Sequence, residues 1–398
     1  MTHKCYLTNI TQVNAILIPT HRSNPLPHPT TQTRARDLGL RFSGKTGPAN
    51  AITDVPGVEI GQTTLIHGDG SPHVGAPAVR TGVTIVLPRG RSGVLQPVKA
   101  GVHALNGNGE MTGTHWIEEA GIFRGPIGVT NTHSVGVVHH ALVRWLSRVD
   151  GDRGAYPWLM PVVAETCDAV LNDMDGLHVE ESHVFEAIAA AAPGAVAEGN
   201  VGGGTGMVCY GFKGGTGTAS RVVNVAGQDY RVGVLVQANM GIRPWLNVLG
   251  VPVGELMPSS SSRQGEPAAR EQGSIIVIVG TDAPLLSSQL KRLARRAALG
   301  VGRTGTPGGD GSGDIMLAFT THADQAPGAL GVCRTEYLAQ HTLDPLFLGV
   351  VQAVEESILN ALIAAQTMVG RNNTRVEALD HSMLIDLMRR HGRIADTR

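Results

Sequence analysis

The chain has 398 residues and a formal net charge of −1, with 42% hydrophobic and 16% charged residues. That balance excludes a disordered chain and supplies enough apolar material for a sizeable core. The length suits two or three domains, or one large α/β domain. Near-neutrality excludes nucleic acid as the expected partner, because phosphate binding needs a basic face.

Residues 1–36 are polar and carry Pro19, Pro25, Pro27 and Pro29. They read as a poorly ordered N-terminal extension ahead of one domain over 37–398. From about Asn50 short β-branched runs alternate with Gly-bounded turns: Gly82–Leu87, Pro126–Thr130, Tyr230–Val236 and Ser274–Val279. The last is continuously apolar after its serine, as a strand buried on both faces should be. A helix is expected over His183–Ala192, stopping at Pro193, and another over Leu286–Leu299, ending at Gly300. A third begins at Asp344-Pro345 and is capped by Gly370, with Leu346, Val350, Val354, Ile358 and Leu362 recurring every four residues. Strands and helices mix without strict alternation, so layered α+β with helix-covered sheets is the expected class. Pro258–Gly273 is a polar loop that gives way abruptly to the strand starting at Ser274.

Cys5, Cys167, Cys209 and Cys333 lie far apart without a CxxC, so a disulfide framework is not expected and a reducing compartment is the default. No run approaches ~18 apolar residues, so no transmembrane helix and no membrane partner are expected. Ala15–Ile18 before Pro19 is too short for a signal segment, and a cytoplasmic location follows as the expectation. Lys291, Arg292, Arg295 and Arg296 read as a solvated helix face.

Gly39–Thr46 fits the phosphate-loop pattern GxxxxGK[ST]. The polar residues before it and Pro48 after it deny the strand–loop–helix setting that the motif needs. A nucleotide-binding protein using Gly39–Thr46 stays as the alternative, to be tested by stabilisation with ATP. Gly202–Met207 lacks the third glycine of a dinucleotide loop and reads as a tight turn beside a substrate or another backbone. His139 and His140 diverge on a helix and there is no HExxH, so neither a metal nor a cofactor is expected. No GxSxG surrounds any serine. Two serines nevertheless sit unusually: Ser274 at the loop-to-strand junction, and Ser312 two residues from Asp314, on the same side of an extended chain.

Several segments run in a telling order: Arg34–Gly39, Asn50–Val58, Asn106-Gly107-Asn108-Gly109-Glu110-Met111-Thr112-Gly113, Val163-Ala164-Glu165-Thr166, Leu171-Asn172-Asp173, Val201–Met207 and Gly273-Ser274-Ile275-Ile276-Val277. Together, from about residue 34 to the end, the chain resembles the DmpA-type family of L-aminopeptidase/D-Ala-esterase/amidases, which includes the β-peptidyl aminopeptidases. The resemblance implies a four-layer αββα sandwich like that of N-terminal-nucleophile hydrolases and ornithine acetyltransferases. It implies that one inactive chain cuts itself between Gly273 and Ser274 into an α chain (1–273) and a β chain (274–398). The freed Ser274 is then the nucleophile, and its α-amine, with an ordinary pKa of about 7.7–8.0, the base.

By the same resemblance Ser312 and Asp314 form a network around Ser274. Asn239 is the oxyanion donor, and Glu165 holds the free amine of a small peptide, amide or ester substrate. The family often has Glu where Asp314 stands, and usually an aromatic, commonly Tyr, where Cys167 stands. That Tyr contributes to oxyanion binding, which a thiol cannot do at the same reach. A catalytically weak or uncleaved homologue is therefore the second alternative. The family also forms homo-oligomers, tetramers of cleaved heterodimers.

Overall fold

The computed structural model describes residues 32–71, 77–150, 158–257, 273–323 and 334–394. Residues 258–272 of the polar loop Pro258–Gly273, with Cys5 and Cys333, lie outside that set. Among the described residues two sheets carry the fold. The smaller has the order β1 (Glu59–His67), β2 (Val79–Leu87), β5 (Ile127–Asn131), β6 (Val162–Thr166). The larger has the order β4 (Ile122–Phe123), β3 (Val98–Ala104), β12 (Ile315–Thr320), β11 (Ser274–Thr281), β10 (Gln228–Asn239), β9 (Gly215–Val225). Short hairpins β7–β8 (Val208–Cys209, Phe212–Lys213) and β13–β14 (Met368–Val369, Arg375–Val376) flank them. The helices are α1 (Thr114–Ala120), α2 (Val135–Val149), α3 (Glu181–Ala190), α4 (Val253–Leu256), α5 (Ser287–Arg303), α6 (Asp344–Ala364) and α7 (His381–Arg390). Each sheet holds one parallel pair, β5 with β6 and β11 with β12, and a helix bridges each crossover, α2 and α5. Parallel neighbours need such a crossover, whereas antiparallel β9 and β10 need only a turn.

Strand alternation distributes the core. Ile275, Val277 and Val279 of β11 join Val234 and Val236 of β10 against Leu290 and Leu293 of α5 and Val350 and Val354 of α6. The intervening residues Ile276 and Ile278 face the other way, with Leu235, Leu317 and Phe319, onto Val86, Ile127, Val129 and Val162 of the smaller sheet. That sheet's other face, through Ile85, Leu87 and Val163, packs on Leu142 and Leu146 of α2 and Val184 and Ile188 of α3. β11 is thus apolar throughout because both its faces are covered.

Two sequence expectations need correction. Gly300 does not end α5, which continues to Arg303. A Cβ on Gly300 would stand 2.6 Å from Val354 Cβ and 2.7 Å from the Val351 carbonyl, so this glycine lets α5 and α6 approach. Gly370 does not cap α6, which stops at Ala364 where Ala365 turns extended; a Cβ there would meet the Leu171 carbonyl at 2.2 Å. And α6 itself, 21 residues with a window of mean hydropathy 1.6, is long and apolar enough to span a membrane by composition alone. That window is 89% buried inside the protein, which marks α6 as a core helix.

Of the expected extension, residues 1–31 lie outside the described residues, and residues 34–36 are held by buried partners. Ala35 is fully buried and its N–H donates to Asn360 Oδ1 at 3.0 Å. Arg34 Nε donates to buried Glu198 at 2.6 Å. Arg36 reaches Glu356 through Nε and Nη2 at 2.7 and 2.9 Å. Glu356 also accepts from Arg221 and Asn50, each at 2.7 Å. Burial alone would push its carboxyl up, but these donors hold it below the ordinary range. Polar composition concealed this segment because its residues pair with buried charge rather than with apolar surface.

Candidate active site

Ser274 opens β11 opposite Asn239, the last residue of β10. Gly273 before it presses on that same strand end. A Cβ at 273 would lie 2.0 Å from the Asn239 carbonyl oxygen and 2.9 Å from Met240 Cα, so a side chain is excluded by backbone that cannot give way. Ser274 is nearly buried, and its Oγ accepts the Gly313 N–H at 3.0 Å.

Gly313 lies between the two other residues of the expected network. Ser312 Oγ donates to Asp314 Oδ1 at 2.6 Å, and the same oxygen accepts the Ile275 N–H at 3.0 Å. The short aspartate side chain therefore reaches both the second serine and the peptide next to Ser274. Asn106 completes the group: its Oδ1 accepts the Asp314 N–H at 2.6 Å, and its Nδ2 donates to Asp314 Oδ2 at 3.3 Å. The Asn106–Glu110 segment gets this close because two glycines meet. A Cβ on Gly313 would sit 2.2 Å from the Asn108 carbonyl, and one on Gly109 would sit 2.9 Å from the Gly313 carbonyl.

Asn239 is held at both ends of its amide. Oδ1 accepts the Val208 N–H at 2.9 Å, and Nδ2 donates to the Cys167 carbonyl at 3.0 Å. These bonds fix which way the amide points and leave Nδ2 a second proton to donate. Cys167 thus serves Asn239 through its backbone. Its half-buried thiol lies 4.0 Å from the Met174 sulfur, and burial pushes that thiol up, away from the reactive thiolate.

Two residues earlier, Glu165 is almost fully buried at the end of β6. Its Oε1 accepts the Glu110 N–H at 3.0 Å and its Oε2 the Thr132 hydroxyl. Burial raises its pKa, opposed by the Thr132 and Glu110 hydrogen bonds. Gln237 of β10 ties the two sheets at this point, donating at 2.8 Å both to the Thr130 carbonyl and to the Thr166 hydroxyl.

The structure brings all the sequence-derived residues into one connected region. Ser274, Ser312 and Asp314 share hydrogen bonds around Gly313 and Ile275. Asn239 is Ser274's strand partner and bonds to Cys167, and Glu165 is linked to the Gly313 contact through the Asn106–Glu110 segment. Sequence reasoning did not single out Asn106, Thr132, Val208 or Gln237. The alternating Asn-Gly pattern of 106–109 signals close backbone approach, but Thr132 and Gln237 carry no local signal at all.

The glycine-rich motifs resolve differently. Gly202–Gly204 forms a 3₁₀ turn wedged between backbones: Cβ atoms would meet Thr84 Oγ1 at 2.2 Å, Gln237 Oε1 at 2.1 Å and the Thr216 nitrogen at 2.2 Å. Gly39–Thr46 is preceded by turns, and Lys45 forms a bridge to Val222 with bends and a 3₁₀ turn beyond, so the helix of a phosphate loop is missing among the described residues. Gly44, at φ 89°, instead makes room for Arg221, whose Cδ would lie 2.7 Å from a Cβ.

The profile of Peptidase family S58 matches residues 50–376. The chain is 52% identical over 373 residues to a β-peptidyl aminopeptidase of Sphingosinicella microcystinivorans, covering 91% of this chain and 93% of that one. A second, from Sphingosinicella xenopeptidilytica, is 46% identical over 371 residues, covering 89% and 91%. Among solved structures, the L-aminopeptidase D-Ala-esterase/amidase of Ochrobactrum anthropi, described as a variant of the Ntn hydrolase fold, superposes with a TM-score of 0.83. It is 50% identical, with 91% of this chain and 99% of that one covered. A β-aminopeptidase of a Burkholderia species gives a TM-score of 0.81 at 46% identity, covering 90% and 99%. With its family matched over most of its length, the chain belongs to peptidase family S58 and is a hydrolase of peptide bonds.

Proposed function

We propose that the protein is a self-processing serine aminopeptidase and amidase, built as a four-layer αββα sandwich. It is cut between Gly273 and Ser274 and releases N-terminal residues from small peptides, amides or esters. One observation carries this reading: Ser274 starts a core strand directly after a residue that only glycine can occupy, with the Ser312–Asp314 pair and Asn239 around it. The faces covered by α5 and α6 on one sheet and α2 and α3 on the other support the four-layer arrangement. The relatives' named activities support the substrate class.

In the uncut chain the Ser274 hydroxyl attacks the Gly273 carbonyl, and the acyl group moves from nitrogen to oxygen. That shift breaks the C–N bond and frees the Ser274 α-amine; water then hydrolyses the ester, releasing the Gly273 carboxylate and restoring the Ser274 hydroxyl. That amine takes the hydroxyl proton when Ser274 attacks a substrate carbonyl, and the leaving amine receives it; water then hydrolyses the acyl-enzyme on Ser274, releasing the N-terminal residue and restoring the hydroxyl. Ser312, polarised by Asp314, orients the amine. The second Nδ2 proton of Asn239 stabilises the oxyanion, a role whose loss costs roughly 10²–10³ in kcat. Glu165 binds the substrate ammonium, which confines cleavage to the N-terminal residue.

Intact-mass spectrometry tests this. Wild type should show fragments 1–273 and 274–398, the second 125 residues long, and Ser274→Ala should stay whole and inactive on aminoacyl p-nitroanilides. An uncut wild type that still hydrolyses them overturns the mechanism.

A further inference from the structure

Lys213 is a fully buried lysine that the mechanism above does not use. Among the described residues it pairs with no carboxylate. Its Nζ donates instead to the carbonyls of Met207 at 2.8 Å, Gly214 at 2.9 Å and Gly204 at 3.4 Å. An unpaired buried ammonium is costly, and three carbonyl dipoles offset only part of the lost hydration.

The first of those carbonyls matters most. The Met207 C=O and the Val208 N–H belong to one peptide unit, and that N–H is the donor that fixes Asn239 Oδ1 at 2.9 Å. A chain of hydrogen bonds therefore runs from the Lys213 ammonium through the 207–208 peptide and the Asn239 amide to Nδ2. Each bond polarises the next, and in a buried setting this cooperativity is not screened by water.

We propose that Lys213 is a positioning residue for the oxyanion site. Its charge, passed through the Met207–Val208 peptide, locks the Asn239 amide with Nδ2 facing the reacting carbonyl and strengthens it as a donor. The inference rests on Asn239 being the oxyanion donor. Burial lowers the Lys213 pKa to about 7, while Cys209 and Asp168, the titratable groups bearing on it, pull it back up.

Lys213→Met substitutes an unbranched side chain one atom shorter and removes the charge. It should lower kcat about 10- to 100-fold with KM within three-fold, because the oxyanion is met only in the transition state. In the Asn239→Ala background the same change should cost no more than two-fold, since the chain is already broken. An equal loss in both backgrounds, or no loss in a folded Lys213→Met, overturns the proposal. If Asn239→Ala itself leaves kcat unchanged, it is the catalytic reading that fails.

A second measurement needs no substitution. The chain has five lysines, so ¹³C-lysine spectra of the wild-type enzyme are simple. When an aminoalkyl boronic acid forms a tetrahedral anion on Ser274, Lys213 should titrate at higher pH, because coupling between the two sites is reciprocal. A titration unmoved by the boronate overturns the proposal even where Lys213→Met does not fold.

Discussion

Glu165→Gln separates what the site needs from what the fold prefers. The carboxylate is almost wholly buried, with one oxygen on the Glu110 N–H and the other on the Thr132 hydroxyl. Glutamine preserves the shape and can keep the Glu110 bond, so the change removes charge with little repacking. A hydrogen bond to a charged group contributes about 1.5–3 kcal/mol, so losing the ammonium–carboxylate contact should lower kcat/KM for an aminoacyl p-nitroanilide by about 10- to 150-fold. Most of that loss should appear in KM. Stability should move the other way. Burial raises the Glu165 pKa above its unfolded value, so the fold favours the protonated form. Its contribution is then complete below the ordinary carboxyl pKa and is lost as pH rises through the raised value. Glutamine cannot ionise, so the variant should melt at the same or a higher temperature than wild type at pH 8. The assay pairs kcat/KM on the free and N-acetylated substrate with thermal melts at pH 5 and 8. Unchanged kcat/KM in Glu165→Gln, or equal wild-type rates on the acetylated and free substrates, refutes Glu165 as the amine site.

Two further substitutions probe the same region. Gly273→Ala introduces a Cβ that would lie 2.0 Å from the Asn239 carbonyl oxygen, displacing the scissile peptide; intact mass should show the single chain accumulating, and processing at the wild-type rate would contradict the steric argument. Cys167→Tyr supplies the hydroxyl that the family resemblance implies at this position while leaving the 167 carbonyl on Asn239. If that hydroxyl shares the oxyanion, kcat should rise by about 10-fold or more with KM little changed, whereas a variant that melts lower without faster turnover defeats the idea.

Local chemistry is what the sequence made legible. The β-branched run after Ser274 and the four-residue period of α6 each record one segment's own surroundings, and each reads correctly without knowing its neighbours. The ordered motifs also pointed to Ser274, Ser312, Asp314, Asn239, Glu165 and Cys167, which the fold gathers into one region. What remained hidden depends on contacts between segments distant in the chain. Gly300 and Gly370 look like helix stops, yet each is glycine because another backbone or side chain passes where its Cβ would be. Arg34 and Arg36 look like part of a solvated tail, yet their partners, Glu198 and Glu356, stand more than 160 residues away. Thr132 and Gln237 are ordinary residues until two sheets bring them to Glu165 and Thr166. Lys213 carries no signal of its own in the sequence. Only the folded chain surrounds it with carbonyls, because a side chain's burial and hydrogen-bond partners are set by long-range packing, not by the residues beside it.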